Sequence, residues 1–423
     1  MDSSCTPEPE GSPKARQRAT PDVVAKQMIS PIRYSATMLG YGARDEHQFC
    51  HDVRSFFEPG VNMIPLGRAR TGIYLLVKSC ITASRRNILL SPYTISDVVK
   101  MVEFAGGVPV FVDFEPGTTL FNLDQLESSI DDNTAAVLVT HYHVNDYRLP
   151  QIKEICSSRD IALFDDCAIV FGGTIDGRSF PSITDASVFS FSYFKLLNYF
   201  WGGAVATGSA EIESFISDEI RDWPTLGLKD YLGQMKGCLT YDLATRPWVF
   251  RKVTFPYLSR RSDGQETAAT LEHVRRESVK LERSHFSRPS PAAYAEWCRK
   301  LPWIEDWLNQ RRAVAHIYRQ ALGEVMVTSR INEAHFAESC FVNFPILAPE
   351  GRRDEIHKAI IQNGFDVGKS LYPNAHEEPQ YRTVAGTSDN VRQLVRDTIY
   401  LPTHSGVSEG YALALAGCVQ ELI

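Results

Sequence analysis

Two acids and one lysine carry the clearest chemical signal in this chain. Residues 163–203 read LFDDCAIVFGGTIDGRSFPSITDASVFSFSYFKLLNYFWGG. One apolar run ends on Asp165 and Asp166. Some thirty residues later a second run, SVFSFSYF, ends on Lys195, and Gly202-Gly203 with a third run, AVATG, follow at once. An acid at the end of one strand and a lysine just past the next is the layout that pyridoxal 5'-phosphate (PLP) chemistry needs. The lysine amine forms a Schiff base with the cofactor aldehyde. The carboxylate pairs with the pyridine nitrogen and keeps it protonated, so the ring acts as an electron sink. Taken singly, an Asp after a strand is more often a cap and a Lys more often a solvated charge. The order of the pair, each on an apolar run with Gly-Gly after the lysine, is what points to the cofactor.

The elements that must position these groups alternate in type. NILLS reads as a strand, SDVVKMVEFAG as a helix with a glycine stop, and VPVFVDF as a second strand. LDQLESSI is a helix, AAVLVTHY a strand, LPQIKEICSSRD a helix and IALFDD a fourth strand. Strands separated by helices imply right-handed crossovers and a mainly parallel sheet, whose ligands sit at the carboxyl ends of the strands. Tyr93, His141, Asp166 and Lys195 all fall at or just after such ends, and Ser190 lies on the strand that leads to the lysine. For His143 and Asn145, in the loop after the third strand, a polar turn and a site role are equally open. Upstream, Arg70, Thr71 and Gly72 precede the helical pattern Ile73, Leu76, Val77, Cys80. A Thr-Gly turn opening a helix offers free backbone N–H groups and a hydroxyl, which suits a phosphate, although a simple N-cap threonine has the same signature.

Composition sets the bounds. The chain has 423 residues, suited to two packed lobes, with 43% hydrophobic and 22% charged residues, as in ordinary globular proteins. A formal net charge of −7 argues against nucleic-acid binding by bulk positive charge. The nine cysteines are scattered, odd in number and without a CxxC pair, which favours free thiols in a reducing cytoplasmic setting over disulfides or a metal site. No apolar run is long enough for a membrane helix, and residues 1–22 read as a disordered Ser/Pro/charge-rich tail without a signal-peptide core.

The rest of the chain divides by pattern. An N-terminal arm with one helix near 45–57 leads into a large domain that runs to residue 300. Within it, residues 224–287 follow no clear alternation. GLKDYLGQMKGCL and QETAATLEHVRRESVKLERSHF read as helices there. The mixture RPWVFRKVTFPYLSRR, with Arg246, Arg251, Lys252, Arg260 and Arg261, suits a solvated face more than a membrane-docking or partner-docking one. SPAAYAEWCRKL opens a helix with a Ser-Pro cap. Residues 301–423 then form a smaller α/β domain: a long amphipathic helix over IEDWLNQRRAVAHIYRQALGEV, a strand in ESCFVNFPILAP, a helix in RRDEIHKAIIQNGF, a strand or turn at VGKSLY, a helix running into a strand over VRQLVRDTIYLPTH, and a C-terminal helix.

Several stretches resemble the DegT/StrS-type sugar aminotransferases, PLP enzymes of aspartate-aminotransferase fold (fold type I). They are GGVPVFVDFEP…FNLDQLESSI, LFDDCAIVFGGTIDGRSF, FSFSYFKLLNYFWGGAVATG and YLPTHSGVSEGY. The resemblance implies a large domain with a mainly parallel seven-stranded sheet flanked by helices and a small C-terminal α/β domain. By it, Lys195 is the Schiff-base lysine, Asp166 the acid at the pyridine nitrogen, Ser190 a phosphate-contacting serine, and Thr71 and Gly72 phosphate contacts through backbone amides. Tyr372 and His376 match a Tyr-x-x-x-His stretch near the sugar, and Arg288 matches an arginine offered by the partner of a homodimer. Three positions depart from the pattern. Ile169 stands where the family has His or Gln at the cofactor hydroxyl. Ile95 stands where an aromatic stacks on the ring, with Tyr93 as a substitute, and Phe286 replaces the partner-loop Asn. The implied activity is a ping-pong aminotransferase that moves an amino group from a donor such as glutamate to a keto-sugar, free or nucleotide-linked. Two alternatives stand beside it: a PLP-binding protein without transaminase activity, which Ile169 and Ile95 suggest, and a sugar dehydratase, whose relatives carry His where this chain has Lys195.

Overall fold

Short aliphatic runs build a single seven-stranded sheet. The computed structural model describes residues 45–192, 195–225, 243–244, 247–249, 252–253, 285–369 and 372–423. The tail expected over 1–22, most of the N-terminal arm and the two helices expected in the central segment lie outside the described residues. The chain opens with α1 (Glu46–Asp52), capped by the Asp45 carboxylate on the Gln48 N–H. Then follow β1 (Asn62–Leu66), α2 (Ala69–Cys80), β2 (Asn87–Leu90), α3 (Ser96–Phe104) and β3 (Val108–Phe111). Next come α4 (Leu123–Ser129), β4 (Thr134–Thr140), α5 (Leu149–Ser157) and β5 (Ala162–Asp166). The small hairpin β6 (Thr174–Ile175) and β7 (Arg178–Ser179) precedes β8 (Ala186–Ser190), β9 (Gly203–Thr207) and α6 (Ala210–Ile220).

The strand order is β1-β9-β8-β5-β4-β2-β3. β8, β5, β4, β2 and β3 run parallel, and β9 runs against both β8 and β1. The expected alternation of strand and helix is present throughout this region. β1 carries no strand-like signal in the sequence, because Pro65 interrupts it. The strand survives because it lies at the sheet edge, where a missing N–H breaks only one ladder. The β6–β7 hairpin turns on Asp176 and Gly177, both with positive φ, the backbone that an Asp-Gly pair favours.

Period-two alternation divides the sheet into two faces, and this division decides the site. Val137, Val139, Leu163 and Phe189 face one core cluster, whereas Ala136, Leu138, Phe164, Ala186, Val188 and Val205 face another, which also holds Ile73, Leu76 and Val77 of α2. Asp166 and Ser190 continue the second set in register, so both belong to the face that α2 covers.

The remainder follows from α7 (Pro291–Lys300), capped as expected by Ser290, and the long α8 (Ile304–Leu322). α9 (Glu333–Glu338), β10 (Asn343–Leu347), α10 (Arg353–Gln362), β11 (Gly368–Lys369), α11 (Asp389–Asp397), β12 (Thr398–Pro402) and α12 (Glu409–Leu422) complete the chain. β10, β12 and β11 form an antiparallel sheet. α8 joins the lobes: Ile304 and Leu308 pack into the large-lobe core, and Val314, Ala315, Tyr318 and Leu322 into the small-lobe core.

Candidate active site

The carboxyl ends of β5 and β8 and the N-terminus of α2 meet on one face of the sheet. Asp166 ends β5 and is buried; its Oδ1 accepts the Ala168 N–H at 2.9 Å. Burial pushes its carboxyl pKa up, against the opposing pull of the Ala168 amide and of the Lys195 charge. Lys195 is half-buried, and its ammonium acts electrostatically on Asp166 across this end of the sheet. Ser190, the last residue of β8, is buried with its Oγ 3.1 Å from the Ser192 Oγ.

The adjacent acids have opposite jobs because successive strand residues point to opposite faces. Asp165 is fully buried and saturated. It accepts from Thr184 Oγ1 at 2.9 Å and from the Cys167 thiol at 3.1 Å, and it lies 3.2 Å from His141 Nε2. His141 Nδ1 accepts the Asp146 N–H at 3.1 Å, so the neutral imidazole carries its proton on Nε2, toward Asp165. His141, Asp165 and Cys167 are close enough to ligate a metal ion, but each is already engaged in this internal network. Asp165 therefore braces the strand end, whereas the Asp166 carboxylate uses one oxygen and presents the other without a hydrogen-bond partner among the described residues.

The lysine loop is fixed from behind. β8 stops at Ser190, earlier than the apolar run suggests, because Phe191 turns to give its N–H to the Gly202 carbonyl at 2.9 Å and takes the Tyr199 N–H at 2.8 Å. Lys300 of α7 is buried, and its Nζ donates to both the backbone carbonyl and Oδ1 of Asn198 at 2.6 Å. Burial pushes the Lys300 ammonium down to about 8, opposed by the neighbouring Glu296. The Arg68 guanidinium lies 3.5 Å over the Trp201 ring. Both glycines of the pair have a spatial reason. A Cβ on Gly202 would strike the Trp297 ring at 2.3 Å, and one on Gly203 would strike the Ala69 backbone N at 2.4 Å. None of Lys300, Trp297 and Arg68 was singled out by sequence reasoning; each contacts the loop over a long sequence separation and carries no local signal.

Two expectations about α2 change in detail. The helix begins at Ala69, so Thr71 lies in its first turn, and no side chain of Arg68 caps it. The Thr71 hydroxyl, expected to meet a phosphate, instead donates to the His285 carbonyl at 2.9 Å, which leaves the backbone amide as its available donor. Gly72 is a packing glycine: its missing Cβ lets α2 rest on Val188 and Val205, whose methyls would lie 3.1–3.3 Å away.

The other named residues fall out differently. Tyr93 is packed within an aromatic cluster. It is 1% exposed among Phe114, Tyr142 and Tyr372, and its hydroxyl bonds that of Tyr400. Ile95 caps α3 on the loop beyond β2 and is 39% exposed, and Ile169 is half-buried against the large-lobe core. Tyr372 reaches the site side through Tyr142, which feels the Asp166 charge. His376 has its own contacts. Its Nε2 pairs with the Val384 carbonyl at 3.1 Å, and its ring packs on Phe111 of edge strand β3, three strands or about 14 Å from β5. Arg288 is held by Glu46 of its own chain, which Tyr294 also contacts at 3.2 Å. Asn145 is structural, its Nδ2 donating to the Thr174 and Glu338 carbonyls. Among the described residues, no helix is long and apolar enough to cross a membrane.

This fold, with a lysine loop after β8 and a buried acid ending β5, is that of the fold type I PLP-dependent aminotransferases. The chain matches the sequence profile of the DegT/DnrJ/EryC1/StrS aminotransferase family over residues 44–223 and 292–420, and it belongs to that family. It is 23% identical over 399 residues, 92% of each chain, to a dTDP-4-dehydro-2,3,6-trideoxy-D-glucose 4-aminotransferase from Saccharopolyspora spinosa. Among solved structures it is similar to Helicobacter pylori PseC, an aminotransferase involved in the biosynthesis of pseudoaminic acid. There the TM-score is 0.68 at 16% identity, covering 90% of this chain and 92% of that one. It is also similar to DesI, determined with its TDP-sugar product, with a TM-score of 0.67 at 17% identity, covering 96% and 91%.

Proposed function

We propose that this protein is a PLP-dependent aminotransferase that transfers an amino group from an amino acid, with glutamate the first donor to test, to a keto-sugar carried on a nucleotide. The observation that carries the cofactor assignment is the buried Asp166. Its carboxylate is destabilised by burial, is relieved in part by Lys195, and has one oxygen unused by the protein. A protonated ring nitrogen supplies the cation such a group lacks. Membership of the family and the names of the relatives support the sugar acceptor.

PLP bound here supplies an electron sink for the carbon next to the transferred nitrogen. Asp166 holds the proton on the ring nitrogen by staying ionised against it. The first-turn amides of α2 and the Ser190 hydroxyl bind the phosphate at a helix N-terminus, where charge and donors both favour an anion. Lys195 Nζ would carry the proton between the two carbons that exchange it, from a loop whose base Phe191, Asn198 and Gly202 fix. The Trp297, Phe191 and Phe49 rings pack together beneath the loop and keep its floor apolar.

The test is to mix the PLP-loaded protein with glutamate and then with a panel of nucleotide-linked keto-sugars. The proposal expects glutamate alone to change the absorbance of the bound cofactor, a keto-sugar to restore it with amination, and Lys195→Ala to show neither. An unchanged spectrum with glutamate would instead support the binding-only alternative, and loss of water from a sugar without amination the dehydratase.

A further inference from the structure

The junction of the two lobes holds two buried imidazole donors with no acceptor, and a guanidinium acts on both. Arg311, on α8, is 9% exposed. Its neighbour Arg312 is satisfied, with Nε on the Ser339 carbonyl at 3.0 Å and Nη2 on the Glu338 carbonyl at 3.1 Å. The Arg311 guanidinium, by contrast, makes no hydrogen bond or ion pair among the described residues. His143 lies in the loop after β4. Its Nδ1 accepts the Asn343 N–H at 3.2 Å, so the neutral ring carries its proton on Nε2, which is buried without a partner. His404 follows β12 and repeats the arrangement: Nδ1 accepts the Gly406 N–H at 3.0 Å, and Nε2 is buried without a partner.

The three groups share one electrostatic environment. Burial, and after it the Arg311 charge, lower both imidazoles to about 3, so both are neutral at physiological pH. Burial pushes Arg311 itself down to about 10, which leaves it charged. The neighbouring group that acts on it is the Cys340 thiol, and no carboxylate is paired with it. One cation and two N–H dipoles are thus gathered where each needs an acceptor, an arrangement that folded proteins rarely leave unsatisfied. The backbone beside them is pinned. Phe341 is held at φ 44 by its N–H on the His143 carbonyl at 3.1 Å and by Thr403 Oγ1 on its own carbonyl.

We propose that Arg311, His143 and His404 form a binding site for one small monovalent anion, supplied either as a free halide or as the carboxylate of a small molecule. The charge follows from one guanidinium that acts on two neutral donors. The site is separate from the cofactor pocket. The His143 ring packs on Tyr400 at 4.8 Å, Tyr400 bonds Tyr93, and this tyrosine cluster lies between the three donors and Asp166. Because His143 belongs to the large lobe and Arg311 and His404 to the helix and loop of the small one, the anion ties the lobes together.

The experiment is thermal unfolding of the full chain in a buffer whose only other anion is a bulky sulfonate, titrated at constant ionic strength with chloride, bromide or formate. The proposal expects a rise in Tm that saturates, as specific binding to the folded state requires, and no rise in Arg311→Met. Saturation with the halides assigns the free ion, and saturation with formate alone assigns the carboxylate. Crystals of the wild-type protein grown in bromide should show an anomalous peak in hydrogen-bond reach of Arg311 and both Nε2 atoms. That measurement stands even if Arg311→Met does not fold. A wild-type Tm indifferent to all three anions, or water alone among the three donors in both bromide and formate crystals, overturns the proposal.

Discussion

Gly203→Ala separates the cofactor's phosphate anchor from the rest of the fold. A Cβ at this position lies 2.4 Å from the backbone N of Ala69, 2.5 Å from its Cα and 2.9 Å from the Arg68 carbonyl carbon, where ordinary contact begins near 3.4 Å. The obstacle is backbone, not a side-chain tip that can swing aside. The start of α2 and the start of β9 must therefore part by about 1 Å, at a cost of about 1–3 kcal/mol typical of overpacking. The same shift carries the first-turn amides of α2 away from Ser190, the register partner of Gly203. An amide moved from about 2.9 to about 3.9 Å no longer makes a hydrogen bond. Losing one such bond to a charged group costs about 1.5–3 kcal/mol, or roughly 10- to 100-fold in affinity. The assay is PLP titration followed by absorbance, with Gly208→Ala as control. Gly208 is just past the other end of the strand, and its added Cβ meets only the Gly60 carbonyl at 4.0 Å. Gly203→Ala should lose affinity and some stability, and Gly208→Ala neither. A folded Gly203→Ala protein that binds PLP as tightly as wild type refutes the placement of the phosphate.

Other substitutions sort the remaining roles. Burial holds the Asp166 carboxyl above its unfolded pKa, so the cofactor-free fold binds that proton more tightly and loses stability as pH rises through the folded value. Asp166→Asn should therefore raise the Tm of the cofactor-free protein near neutral pH, with the difference vanishing below roughly pH 4, and should abolish PLP binding; a lower Tm at neutral pH contradicts this. Asp165→Asn should do the reverse, lowering stability by about 1–3 kcal/mol because an amide donor then faces Thr184, Cys167 and His141, while PLP still binds the folded fraction. Lys300→Met breaks a buried charge pair with Glu296 and releases Asn198. It should cost about 3–5 kcal/mol in urea unfolding and reduce kcat even where the protein remains folded.

What the sequence makes legible here is local. Asp166, Ser190 and the strand that leads to Lys195 follow from period-two runs with a polar residue at the end, and the alternation of the large lobe is present as expected. β1 is hidden because Pro65 breaks its pattern and only its place at the sheet edge tolerates that. The bond of the Thr71 hydroxyl is not legible because its acceptor, the His285 carbonyl, lies more than two hundred residues away along the chain. The packing of His376 on Phe111 and its bond to the Val384 carbonyl have no local signal either. Trp297 and Lys300 form the back wall of the lysine loop through contacts that no spacing rule encodes. The choice between His143 as turn and His143 as site needs the tautomer that the Asn343 amide imposes.

The central assignment is that one amine, on the loop between β8 and β9, engages the cofactor. Borohydride reduction of the PLP-loaded protein, followed by proteolysis and mass spectrometry, tests it directly. The pyridoxyl adduct is expected on the peptide containing Lys195, with no labelling of the Lys195→Ala variant. An adduct on another lysine, buried Lys300 included, or a wild-type protein that takes no label, contradicts it.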